Sequence, residues 1–292
     1  MKRGARLTDR ARTTPLAPTV VHWAGLSLDR PRIMGILNVT PDSFSDGGSY
    51  SDGTAAVAAG LAMRDAGADI VDIGGESTRP GAEPVSAEEE QRRILPAIGA
   101  LARAGILVSV DTRHAATMNA ALDAGAGIVN DVSALTHDPA AAPLLARRDC
   151  AVILMHARGD PATMQSLAAY EDVPAEVTRE LAEKVAAAER AGIARTRIAV
   201  DPGFGFAKRS AQSLALLRGL AALAALGLPI VVGVSRKGFI GKVTGVADAR
   251  ARGSGSLVAG LFALSQGAAI LRVHDVLATS QALRIREALM KT

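Results

Sequence analysis

Cysteine is almost missing: Cys150 is the only one in 292 residues. An intrachain disulfide is therefore excluded, and a reducing compartment fits. Cys150 opens the apolar run CAVILM, so it reads as a small buried hydrophobe rather than a nucleophile. Aromatic residues are scarce as well, with one Trp, two Tyr and five Phe. No dense Lys/Arg block interleaved with aromatics occurs, which argues against a nucleic-acid partner. Neither sign of charge dominates: 33 basic residues face 29 acidic ones, a net of +4. That balance leaves room for local binding of small anions. No apolar run approaches the roughly 20 residues of a membrane span, so no membrane partner is expected. Residues 1–18 are basic and polar and lack the apolar centre of a secretory signal. They read as a flexible tail, and the expected location is cytoplasmic.

What is abundant is Ala, Val, Leu, Ile and Gly, enough for a sizeable core. Apolar runs recur at 33–40, 70–76, 106–112, 127–133, 150–156, 197–204, 229–236 and 269–275. Between and after them lie Ala-rich helical stretches at 54–66, 87–104, 114–124, 138–147, 175–191, 210–226, 254–266 and 276–290. Gly67, Gly105, Gly125, Gly192, Gly227 and Gly267 stand where helices should stop. Eight strand–helix units of this kind predict a (β/α)₈ TIM barrel. A doubly wound sheet is the competing fold, but the GxGxxG turn it wants after the first strand is absent. No linker divides the chain, so residues 19–292 are expected to form one domain. Residues 20–28 are expected to make a short hairpin closing the barrel bottom.

The run IMGILNVTPDSFSDGG (33–48) shows the design most clearly. A buried strand feeds a polar loop, and in such barrels the reactive groups lie just past the C-terminal ends of the strands. Those positions hold Asn38, Asp72 and Glu76, Asp111, Asn130 with Asp131, His156, Asp201, Ser235 with Arg236 and Lys237, and Arg272 with His274. One polar strand end means little; every strand ending this way points to a site. Two chemical kinds can be separated. Asp111, Asn130, Asp201 and Lys237 combine acceptors, an amide and a cation, a mixture suited to the edge of a flat polar heterocycle. The competing account is a buried ion-pair cluster tying strands together. Asn38, Arg272 and His274 suit an anion, with the Arg fork and the His as donors and the Asn38 carbonyl able to ligate Mg²⁺.

Two long loops, 41–53 and 77–86, have no apolar period and read as lids. Phe44 in the first, and Phe206 after the sixth apolar run, are placed to sandwich a small aromatic ring. Glu88, Glu89 and Glu90 open a helix and favour its dipole without needing a function. His22, His114, His137 and His156 receive no role.

The motifs resemble those of dihydropteroate synthases. They are MGILNVTPDSFSDGG from Met34, VDIGGESTRPGA from Val71, VSVDTR from Val108, IVNDVS from Ile128, DPGFGFAK from Asp201, GVSRKGFIG from Gly233 and ILRVHDV from Ile270. HARGDPATMQ from His156 is a looser match. The resemblance implies condensation of a 7,8-dihydropterin methyl diphosphate with p-aminobenzoate, giving 7,8-dihydropteroate and diphosphate. It implies that Asp111, Asn130, Asp201 and Lys237 hold the pterin. Asn38, Thr78, Arg272 and His274 would hold the diphosphate, with Mg²⁺ at Asn38. Phe44, Thr78, Arg79, Pro80, Phe206 and Ser235 would form the p-aminobenzoate site. Asp111, Lys237 and Arg272 are the implied catalytic residues. Sulfonamide sensitivity and a homodimer, paired through the last helices, are implied too. The chain departs from the family pattern at Ala207, where Gly is common, at Gly238, where Ser is common, and in HARGDP. Competing functions are a non-catalytic pterin-binding paralogue and a methyltetrahydrofolate-dependent methyltransferase. The Arg272-Val273-His274 triplet and the long first lid argue against the latter.

Overall fold

The computed structural model describes residues 22–40, 51–76, 85–159 and 163–290, with 51 and 52 as backbone only. The expected tail at 1–18 and most of both lids, with Phe44, Thr78, Arg79 and Pro80, lie outside the described residues. The strands are β1 (His22–Trp23), β2 (Leu26–Ser27), β3 (Arg32–Asn38), β4 (Ile70–Gly74), β5 (Val108–Asp111) and β6 (Ile128–Asp131). They continue with β7 (Ala151–Met155), β8 (Ile198–Asp201), β9 (Val231–Val232) and β10 (Ile270–Val273). The last eight of the ten form one sheet in the order β8-β7-β6-β5-β4-β3-β10-β9. Neighbours within it pair in parallel. A single parallel bridge, Val200 to Ile230, joins the two ends and closes the ring. The expected barrel is the observed one.

The strands alternate between two environments, as their period of two requires. Ile33, Val71, Ile73, Val108, Val110, Val129, Val152, Leu154, Val200 and Leu271 belong to the large cluster packed against the helices. Met34, Ile70, Ile128, Ile153, Ala199, Val231 and Ile270 form a second cluster, which fills the barrel's lower interior. Trp23 joins this second cluster from the antiparallel β1–β2 hairpin and is 2% exposed. Its indole Nε1 donates to the Arg197 carbonyl at 3.0 Å. The hairpin therefore plugs the barrel bottom, and the inward positions one layer higher are left for polar groups.

The helices are α1 (Ser51–Asp65), α2 (Ala87–Arg103), α3 (Ala115–Asp123), α4 (Ala141–Ala146) and α5 (Val173–Arg190). After these come α6 (Ser210–Arg218), α7 (Gly238–Thr244), α8 (Gly253–Ser265) and α9 (Val276–Met290). The expected helix at 210–226 is in fact two pieces, α6 and a 3₁₀ turn at Leu220–Leu226. Gly219 marks the break. A Cβ there would lie 2.5 Å from Pro174 Cγ, so α5 crosses too closely for any other residue. The short α7 is missed by the periodicity, because its seven residues carry only one Ile, one Phe and one Val to define a face. The acidic run at 88–90 needs a second correction. Glu89 pairs with Arg92 and Arg93, as a solvated helix start should. Glu90, however, is fully buried and accepts from Thr112 Oγ1 at 2.7 Å, tying α2 to the end of β5. Cys150 is buried with a free thiol, and burial raises its pKa, as a packing role requires. No helix among the described residues is long and apolar enough to cross a membrane.

Candidate functional site

The inward position in the middle of β4 is Asp72, with apolar neighbours on both sides in Ile70–Gly74. It is completely buried. A carboxylate there needs compensation, and it comes from strands far away in sequence. Arg272 on β10 donates from Nε to Asp72 Oδ2 at 2.6 Å and from Nη2 to Asp111 Oδ2 at 2.6 Å. Asn130 on β6 donates its amide to the same Asp72 oxygen at 3.2 Å. Asp72 Oδ1 has no hydrogen-bond partner. Four strands thus meet through one guanidinium and one amide, directly above the apolar plug.

Burial is the main influence on Asp111 and Asp201. It raises the Asp111 pKa to about 7, against the pull of Arg272 and with a further push from Asp72. The Asp201 pKa is also raised by burial, opposed by the Gly203 N–H and by Lys237 and Arg272. Burial alone would lower the Arg272 pKa, but Asp72 and Asp111 more than reverse that, and the guanidinium stays charged. Asp201 sits at the end of β8, 6% exposed, with Oδ1 accepting from Gly203 N at 2.7 Å. Its other oxygen lies 3.7 Å from where a Gly233 Cβ would be, so a bare glycine backs that face of the carboxylate.

Lys237 caps α7, and its Nζ stands 4.5 Å over the Phe206 ring. Ser235 is buried, and its Oγ accepts from His274 N at 3.2 Å and lies 3.0 Å from His274 Nδ1. Ser235 therefore joins His274 and ties the approach to Lys237 to the end of β10. Asn38 is part-exposed at the end of β3, which pairs with β10 on one side and β4 on the other. Of the sequence-derived set, the fold thus gathers Asn38, Asp111, Asn130, Asp201, Phe206, Ser235, Lys237, Arg272 and His274 around one barrel mouth. Phe44, Thr78, Arg79 and Pro80 lie outside the described residues. Gly238, beside Lys237, has open space where a Cβ would be.

Two participants were given no role in the sequence reading. Asp72 carried a signal, a carboxylate inside an apolar strand, but its partners are 58 and 200 residues away. Lys208 carried almost none, because a lysine before a helix is ordinary on a surface; here it is 3% exposed. His156, also left without a role, is its neighbour at 2.8 Å.

The site can accept several N–H groups on a planar ligand through Asp111 and Asp201. It can donate through Asn130 and Lys237, and it can clamp an anion at Arg272 Nη1 and His274. For a metal, Asn38 supplies a single carbonyl oxygen, the donor type Mg²⁺ prefers. No cluster of three His, Cys, Asp or Glu suited to a metal occurs among the described residues. The Asn38 site thus fits an ion that draws most of its ligands from water and a bound phosphate. A cavity of about 500 Å³ lies elsewhere, on the barrel flank between Ala134–Thr136 and α5. In its charged lining Arg179 pairs with Glu183 at 2.9 Å and Glu180 is engaged from outside by His156 and Arg158, whereas the mouth gathers the sequence-derived set.

Comparison with known proteins agrees with this geometry. Residues 34–274 match the family model described as pterin binding enzyme. A dihydropteroate synthase of Neisseria meningitidis serogroup C is 50% identical over 268 residues, covering 90% of this chain and 94% of the relative. A Xanthomonas albilineans dihydropteroate synthase structure with 4-aminobenzoic acid superposes with a TM-score of 0.87 at 49% identity. It covers 92% of this chain and 97% of that one. A structure of the enzyme from the same organism with 7,8-dihydropteroate gives a TM-score of 0.83 at 46% identity, over 91% and 96% of the two chains.

Proposed function

Because the chain belongs to the dihydropteroate synthase family of pterin-binding enzymes, we propose that it joins a dihydropterin methyl diphosphate to p-aminobenzoate, releasing diphosphate. The observation that carries this reading is the convergence of Asp72, Asp111, Asn130 and Arg272 from four strands inside the barrel mouth. Asp111, Asp201 and Asn130 read the pterin edge by hydrogen bonds, and Lys237 donates to its carbonyl or ring nitrogen. Arg272 and His274 hold the diphosphate. Mg²⁺ at Asn38 would neutralise charge on the departing diphosphate. As the C–O bond breaks, positive charge develops at the pterin methylene, and the surrounding carboxylates stabilise it. The arylamine of p-aminobenzoate, seated beside Phe206 and Ser235, then attacks that carbon, and its proton is lost to solvent. Phe44, Thr78, Arg79 and Pro80 would complete the second pocket, with Thr78 also reaching the diphosphate. A sulfonamide, sharing the arylamine, would compete there.

The decisive experiment supplies purified protein with the pterin diphosphate and Mg²⁺, with and without p-aminobenzoate, and identifies the product by mass. Dihydropteroate formed only with both substrates is expected. Pterin binding without condensation would favour the non-catalytic paralogue. The titration of Asp111 adds a pH dependence. An acceptor role requires the carboxylate, so the pterin Kd is expected to weaken about tenfold per pH unit below about 7. Calorimetry from pH 8 to pH 6 reads this directly, and a flat profile would remove Asp111 from ligand contact.

A homodimer is part of the same proposal. Val243 on α7, Val258 and Phe262 on α8, and Leu277, Ile285 and Leu289 on α9 are large apolar side chains left exposed. Their concentration on three consecutive helices suits a self-complementary face. Sedimentation should find a dimer, and Val258→Lys should shift it toward monomer; a wild-type monomer at micromolar concentration would remove this element. The single buried thiol supports a cytoplasmic location.

A further inference from the structure

We propose that Lys208 is a positioning residue for the second substrate: its ammonium pins the loop after β8 so that the Phe206 ring stays under Lys237. The inference rests on the dihydropteroate synthase reading and adds to it a residue that touches no substrate.

An ammonium has three N–H donors and no acceptor. Lys208 Nζ meets three close acceptors, His156 Nδ1 at 2.8 Å, the Gly203 carbonyl at 3.0 Å and the Phe206 carbonyl at 3.0 Å, with the His156 carbonyl a more distant fourth at 3.5 Å. The set is saturated, and the side chain is 3% exposed. Burial lowers the Lys208 pKa to about 7, so the direction of this bond is set from the other side of the ring. Burial would raise the Glu180 pKa, but Arg158 and His156 hold it at about 2, so Glu180 can only accept. That puts the proton of the neutral His156 on Nε2, 2.9 Å from Glu180 Oε2, and leaves Nδ1 to accept from Lys208. Glu180 is held in turn by Arg158. Burial, with Lys208 adding to it, keeps His156 neutral with a pKa near 3, as an acceptor Nδ1 requires. The anchor for the loop is therefore α5, through Glu180 and His156, and not the loop itself.

What the anchor holds is a conformation the loop would not adopt freely. Ala207, between Phe206 and Lys208, has φ +48 and is fully buried. A left-handed alanine is strained by its Cβ, and such residues persist where their surroundings over-determine them. Phe206 N also bonds the Gly203 carbonyl at 3.1 Å, so the turn is closed on the oxygen that Lys208 grips. Without the ammonium, the Phe206 and Gly203 carbonyls and His156 Nδ1 lose their shared donor. The strain at Ala207 then favours release of the ring from Lys237.

The test measures steady-state kinetics of Lys208→Met with each substrate varied, beside Phe206→Ala and the double variant. Lys208→Met is expected to raise KM for p-aminobenzoate about tenfold and to leave the pterin diphosphate Kd, by calorimetry, within about twofold of wild type. The double variant is expected to match Phe206→Ala alone, because Lys208 acts through that ring. Additive effects on KM, or an unchanged KM in Lys208→Met, would overturn the proposal. If Lys208→Met does not fold, Lys208→Gln, whose amide keeps two donors, carries the same comparison. Absence of dihydropteroate formation by the wild-type protein would instead defeat the underlying functional reading.

Discussion

Replacing Arg272 with methionine is expected to lower kcat/KM by about a thousandfold and stability by about 3 kcal/mol at pH 8. The size follows from what the guanidinium leaves behind. Asp72 is fully buried and Asp111 nearly so, and Arg272 sits 2.6 Å from each. Methionine fills much of the volume but compensates neither charge, and breaking a buried pair from one side leaves the other charge stranded. The deficit carries a pH signature. The Asp111 pKa is already raised to about 7, so between about 4 and 7 the folded state binds more protons than the unfolded one. Stability from this group therefore falls as pH rises through that window. Without Arg272 the raised pKa moves higher still, so the deficit of the variant should shrink toward pH 5 and widen toward pH 8. Urea denaturation at the two pH values checks this. A variant as stable as wild type at pH 8 would show that the carboxylates are compensated by something other than Arg272.

Gly203→Ala is expected to be more damaging than its one methyl group suggests, costing at least about 3 kcal/mol or preventing soluble expression. Gly203 has φ +69, and a Cβ there would stand 1.9 Å from the carbonyl oxygen of His156. That oxygen is backbone at the end of β7, and the same residue's N–H bonds Asp201 O at 2.8 Å. It cannot move without parting β7 from β8. The N–H of Gly203 also holds Asp201 Oδ1, so any surviving protein should bind pterin poorly. A folded Gly203→Ala protein with the wild-type Tm would mean that the loop takes another path.

The barrel was legible because its strands are short apolar runs separated by helical stretches with glycine stops. The hairpin at 20–28 was legible as a short apolar segment before the first long strand, but the part Trp23 plays in plugging the barrel was not. The polar strand ends announced Asp111, Asn130, Asp201 and Arg272, since a core strand has no packing reason to carry them. Their mutual arrangement was not legible. Arg272 reads as an anion clamp from its own neighbourhood, yet two of its donors are engaged by carboxylates 200 and 161 residues away. Local pattern holds no record of such pairings. The same limit hid the burial of Glu90, which the sequence reading placed only in an acidic run favouring its helix dipole, and that of Lys208, which depends on α5 and β7. The break at Gly219 was invisible because it is imposed by Pro174 on another helix.

The one-bridge closure between Val200 and Ile230 bears on how the molecule comes to be folded. Seven of the eight junctions around the ring are ladders of two or more paired residues, while the eighth is a single contact. The chain can therefore assemble as an open curved sheet running from β8 to β9, with the ring sealing last. The junction that seals last joins the strand ending in Asp201 to the one leading to Ser235 and Lys237. Ligand-binding competence would then arrive in the final kinetic phase, after most secondary structure has formed. In pulsed hydrogen exchange, the Val200 amide, bonded to Pro229 O, should gain protection later than amides of β3 and β4. Simultaneous protection would mean that the ring closes as one unit.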